Sequence, residues 1–201
     1  NARDMAILNQ KIVPYVVRIG FQKSKTDGVS QYSWFFLPKD RIKAPETLGG
    51  DQCFYRPEVQ ELWKAGIDYR MTNLPKYGPA IYNLGDENFV DTSGGYGPSD
   101  LQYFREFLRK KYGSIDRLNY NWRTSFKDFS EVPHIPQKTA RDSGNYPAWG
   151  DHRSYMETMY ADCHAFLADE IRKHDPGARV GAEGSVPGDL EKTIGTLEYW
   201  G

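Results

Sequence analysis

Three short apolar runs, at residues 11–21, 80–86 and 178–183, are each followed by loop residues and then by a long stretch with helical spacing. Segments so far apart cannot pair as hairpins, so the order strand, helix, strand predicts parallel strands joined by right-handed crossovers. The expected class is α/β. In such folds the chemistry gathers where the strands end at their carboxyl side. The middle run, Ala-Ile-Tyr-Asn-Leu-Gly-Asp-Glu-Asn, ends there in two adjacent carboxylates, Asp86 and Glu87, and the third run ends at Glu183.

The intervening stretches carry the helix signals. Pro57 suits a first helical position, and Val59, Leu62, Trp63, Ile67, Met71 and Leu74 recur three and four apart until Pro75. Ser99 and Gln102 read as a capping box for a helix with Leu101, Phe104, Leu108 and Tyr112 on one face, ended by Gly113. A short helix follows from Ser114 with Ile115, Leu118 and Trp122. Residues 132–149 read as loop. From Asp151 to about His174 a long helix turns Met156, Met159, Tyr160, Cys163, Leu167 and Ile171 inward, its basic end complementing the helix dipole. Residues 189–197 open another helix. Pro14 counts against the first half of the first strand, and residues 22–52 read as a long loop with an aromatic cluster at Tyr32, Trp34, Phe35 and Phe36.

Charge excludes little and suggests little. A net charge of −1 offers no basic face for nucleic acid and no polybasic membrane anchor, and no apolar run reaches a membrane span. The chain begins with Asn rather than Met, which fits processing or excision from something longer; localisation stays open. Cys53 and Cys163 match no metal or redox spacing and read as two buried thiols. The four histidines form no paired ligand motif, so neither a metal nor another cofactor is expected. A Gly-x-Ser-x-Gly elbow is absent, and the cluster at Gly94, Gly95 and Gly97 lacks dinucleotide or phosphate-loop spacing.

Strand alternation puts Ile81, Asn83, Gly85 and Glu87 on one face and Tyr82, Leu84 and Asp86 on the other. If Glu87 points into a barrel mouth, Asp86 holds a neighbouring loop or an Arg. Helix capping or a surface ion pair is the plainer reading of the pair, and for Glu183 a loop hydrogen bond or substrate contact is plainer than chemistry. A two-carboxylate glycosidase needs its carboxyls about 5–9.5 Å apart, so a hydrolase that pairs Glu87 with Glu183 requires the two to face one cavity.

Tyr82-x-Leu84-Gly85-Asp86-Glu87-Asn88, followed by Phe104-Arg105-x-Phe107-Leu108-x-x-Lys111-Tyr112-Gly113-x-Ile115-x-x-Leu118-Asn119-x-x-Trp122-x-x-x-Phe126, resembles the β-galactosidase-like glycoside hydrolases of family 42 and their clan A relatives. The likeness extends loosely over residues 12–183. It implies a (β/α)8 TIM barrel that cleaves glycosidic bonds with retention, a Glu at the tip of the fourth strand serving as acid/base and a second Glu, at the tip of the seventh, as nucleophile. By that resemblance Glu87 is the acid/base. The chain is then the central segment of one barrel, about strands three to six with their helices, incomplete at both ends, inactive by itself and with its nucleophile elsewhere. Where the family usually has Asn before this Glu, the chain has Asp86.

The expected substrate is therefore a β-linked sugar. Glu87 is the expected catalytic residue, and Asp86, Asn88, Tyr82, Tyr96, Trp34, Trp149 and Glu183 are expected to contact the sugar. The expected partner is a carbohydrate rather than nucleic acid or a membrane, with oligomerisation through the parent chain left open. A noncatalytic carbohydrate-binding or scaffold barrel with a degenerate site is the alternative.

Overall fold

The computed structural model describes residues 2–23, 30–33, 51–184 and 188–201. Trp34 and most of the aromatic cluster around it lie outside them. Helix α1 (Ala2–Ile7) leads into an extended segment that meets the second strand region in parallel through Tyr15 and Asn83. There Val16 N–H donates to Asn83 O and Asn83 N–H to Pro14 O. The donor two residues before Val16 would extend the ladder backwards, but Pro14 has no N–H, so regular pairing is confined to one bridge.

The segment continues into β1 (Gly20–Lys23), which pairs antiparallel with β2 (Ser30–Ser33). Helix α2 (Pro57–Met71) then crosses to β3 (Tyr82–Asn83), burying Val59, Trp63, Ile67 and Met71. Beyond β3 the chain resumes as β4 (Phe89–Val90), parallel to β1, within the stretch read as a loop. Helices α3 (Pro98–Tyr112), α4 (Ile115–Trp122), α5 (Gln137–Ser143) and α6 (Pro147–His174) follow. The strand β5 (Val180–Ala182) pairs in parallel with β3, and after α7 (Leu190–Thr193) β6 (Tyr199–Trp200) pairs in parallel with β5. Four neighbouring strand segments, those of Tyr15, β3, β5 and β6, thus run in chain order and in one direction.

The two faces of this sheet differ. Tyr82, Leu84, Val180 and Ala182 are buried in one continuous core with α2, α3 and α6, and Tyr82 Oη reaches across to Asp175 Oδ2 at 2.9 Å. The opposite face carries Tyr15, Asn83 and Glu183, and Val13 and Tyr15 stay 46% and 39% exposed. Parallel strands ordinarily have both faces covered, whereas here helices cover one face and the other carries polar and partly exposed side chains.

Helix α6 starts at Pro147, one turn before the expected Asp151, and all six residues expected to face inward are buried. Helix α5 was not expected, because only Ala140 of its seven residues is buried and no apolar period announces it. The cap of α3 also differs. Asp100, fully buried, accepts from Gly97 N–H at 2.9 Å, whereas Ser99 gives its N–H and its hydroxyl to Asp51 Oδ2. Both cysteines are free and buried, and burial pushes the Cys163 thiol far up. No described helix is long and apolar enough to cross a membrane.

Candidate active site

The second strand region carries one more residue than its neighbour. Five steps separate Tyr15 from Gly20 on the first strand, while six separate their partners Asn83 and Phe89 on the second. The surplus residue is absorbed as a bulge over Gly85–Asn88, with Gly85 at φ 125° and Glu87 at φ 53°. A Cβ at position 85 would lie 2.5 Å from Val17 O, so only glycine fits. A left-handed backbone at Glu87 is uncommon for a residue with a side chain and is held by its surroundings.

Asn88 supplies that hold. A bulge leaves ladder groups unpaired, and Asn88 Oδ1 accepts the Ile19 N–H at 2.8 Å, standing in for a backbone carbonyl. Its Nδ2 donates to Leu84 O at 3.2 Å and meets His164 Nε2 at 3.3 Å. His164 Nδ1 faces Tyr160 O at 2.8 Å, so the proton is on Nδ1 and Nε2 is free to accept from Asn88. Asn88 is fully buried and its amide is spent on the fold. Asn88→Asp keeps the shape but turns an oxygen toward two acceptors. It is expected to cost about 2–4 kcal/mol, read as a lower urea midpoint at unchanged slope.

The bulge also breaks the alternation. Up to Leu84 the expected faces hold, but Asp86 and Glu87 both emerge exposed at the bend. Glu87, 67% exposed at its side chain, is met by Arg18, whose Nη2 donates to Oε2 at 2.6 Å. The Arg expected beside Asp86 is therefore on Glu87. Glu183 stands at the end of β5 on the face away from the helices and accepts from Tyr15 Oη at 2.7 Å and from Asn83 Nδ2 at 2.8 Å. Losing its proton beside that carboxylate is costly for Tyr15, which is pushed up to about 12. Asn83 N–H and Glu183 N–H bond Pro14 O and Gly85 O, so adjacent strands fix both side chains.

The other expected contacts scatter. Tyr82, bonded to Asp175, points into the helix layer, and Asn88 is sealed inside the bulge. Tyr96 follows Gly94 and Gly95 and stacks on His152 with ring centroids 4.0 Å apart. Trp149 lies in the first turn of α6. The structure thus joins Glu87 to Arg18, and Glu183 to Tyr15 and Asn83, but turns Tyr82 and Asn88 away. Arg18, Tyr15 and Asn83 were not foreseen. The usable signal was Asn83, an amide inside an otherwise apolar run; Tyr15 gave none, since Tyr82 in the next run faces the helices. Among the described residues no group of three or more His, Cys, Asp or Glu side chains is arranged to hold a metal.

Comparison with known proteins follows the same lines. A β-galactosidase from Arthrobacter sp is 29% identical over 140 residues, 65% of this chain and 20% of that protein. The crystal structure of the apo exo-carrageenase GH42 from Bacteroides ovatus superposes with a TM-score of 0.61 at 26% identity, over 73% of this chain and 22% of that one. The β-galactosidase from Bacillus circulans sp. alkalophilus covers 100% of this chain with 28% of its own, at a TM-score of 0.64 and 17% identity. The chain spans about a fifth of the curated β-galactosidase it matches, and its structural relatives are TIM-barrel glycoside hydrolases. Residues 51–191 match the sequence profile of glycoside hydrolase family 42, described as beta-galactosidase, and the chain belongs to that family.

Proposed function

We propose that these residues form the central section of a (β/α)8 barrel, strands three to six counted through Tyr15, β3, β5 and β6, in an enzyme that hydrolyses β-galactosides with retention. The observation that carries the reading is the pair of carboxylates, Glu87 and Glu183, raised at the carboxyl ends of neighbouring parallel strands of a family 42 chain. Glu87 is the acid/base. It gives its proton to the glycosidic oxygen as the bond to the anomeric carbon breaks, then takes a proton from the water that releases the sugar.

The nucleophile is a carboxylate from the parent protein beyond these residues. Glu183, held as an acceptor by two donors, belongs to the wall of the sugar site, where a sugar hydroxyl competes for its remaining lone pairs. Asp86, beside Glu87 at the rim, accepts a further hydroxyl. Tyr96, before α3, and Trp149, in the first turn of α6, are candidates for stacking on the sugar, and Trp34, outside the described residues, is a third by its residue type.

Incubating the full-length protein with aryl β-D-galactosides tests the reading. Release of the phenol together with a β-configured first product is expected. Binding without release would instead mark a carbohydrate-binding barrel.

A further inference from the structure

We propose that Arg18 is the positioning residue of Glu87, an inference that rests on Glu87 being the acid/base. Two independent features of the bulge point to it. First, Glu87 has a left-handed backbone in a segment with one surplus residue, so its side-chain direction follows from the bulge and not from strand alternation. A long, exposed carboxylate there has several rotamers open to it, and catalysis by proton transfer tolerates few of them.

Second, on the side of the first strand the two side chains of the bulge are held by adjacent residues. Ile19 N–H holds Asn88 Oδ1 at 2.8 Å, and Arg18 Nη2 holds Glu87 Oε2 at 2.6 Å. Because Ile19 is locked, the root of the Arg18 side chain is fixed relative to the peptide that carries Glu87. An ion pair this open contributes little to stability, so its consequence is orientation. The guanidinium binds one oxygen, Oε2, and leaves Oε1 for the proton that goes to the leaving group. Lys can supply the charge, but on a shorter stem whose compact, strongly hydrated head rotates freely, so it should restore the function only in part.

The test compares Arg18→Met, Arg18→Lys and Glu87→Gln in the full-length protein, using a dinitrophenyl and a methyl β-galactoside. The dinitrophenolate leaves without a proton, whereas the methyl glycoside needs one. Arg18→Met is expected to lower kcat/KM for the methyl glycoside roughly 10- to 100-fold, with kcat/KM for the dinitrophenyl substrate within about threefold of wild type and an unchanged unfolding midpoint. Arg18→Lys should fall between Arg18→Met and wild type. Equal losses on both substrates, or no loss on either, would overturn the proposal. If Glu87→Gln itself spares the methyl glycoside, the acid/base reading fails. If Glu87→Gln gives the selective loss and Arg18→Met does not, only the role of Arg18 fails.

Discussion

Replacing Glu87 by Gln in the full-length protein is expected to lower kcat/KM for alkyl β-galactosides about 10²- to 10⁴-fold, the span that a positioned acid/base contributes. Gln keeps the volume and can still meet Arg18 through its carbonyl oxygen, so the bulge should survive and the unfolding midpoint should hardly move. What Gln cannot do is release a proton. Substrates whose leaving group is a stable anion would form the glycosyl-enzyme at near wild-type rates and then stall, because water attacks slowly without a base. Azide, a nucleophile with no proton to lose, should restart turnover and yield a β-galactosyl azide. Near wild-type rates on alkyl galactosides, or a loss that azide leaves untouched, would remove Glu87 from the chemistry.

Much of this arrangement is legible in the sequence, and the illegible part has a physical cause. Helices α2 and α6 follow from apolar spacing because tertiary burial selects the same residues that the period does; Trp63, Ile67, Cys163 and Leu167 are all buried. Strands β4 and β6 have two residues each, too few for any period, and are defined by the partner they pair with. The carboxylates at the strand tips are visible in the chain, but their directions are not. A single surplus residue cancels the parity rule beyond Gly85, and it is detected only by comparing Tyr15–Gly20 with Asn83–Phe89 across the pair. Arg18 and Glu87, like Tyr15 and Glu183, meet through strand register, which no local pattern encodes.

The same blindness hides the second large effect. His134 and His152, far apart in the chain, have ring centroids 5.2 Å apart under the loop that carries Gly94 and Tyr96. His152 Nε2 donates to Gly94 O at 3.0 Å, while its Nδ1 and both ring nitrogens of His134 find no hydrogen-bond partner among the described residues. Burial drives His134 down to about 3 and His152 to about 4; the His152 ring and Arg105 add to the penalty at His134 and Arg153 adds to it at His152, where the bond to Gly94 O opposes the shift without cancelling it. Both imidazoles are therefore neutral in the folded protein but take up protons below about pH 6.5 once unfolded. The unfolded state binds more protons, so stability falls as the pH drops from about 6.5 toward about 4, by up to about 1.4 kcal/mol per pH unit for each ring.

His134→Phe fills the same space against Phe104 and Tyr96 with a ring that never titrates. Urea midpoints measured at about pH 7 and about pH 4.5 should show the variant gaining about 2–3 kcal/mol on wild type over that interval. Parallel losses in the two proteins would mean that His134 is protonated in the fold. Protonated His152 still donates to Gly94 O, so the acid effect is the cost of a charge buried between α6 and the loop beyond β4, and opening the Gly94–Tyr96 corner relieves that cost before the rest of the domain unfolds. Activity would then decline reversibly at a pH where α6 is still helical, which far-ultraviolet circular dichroism recorded alongside the assay will reveal.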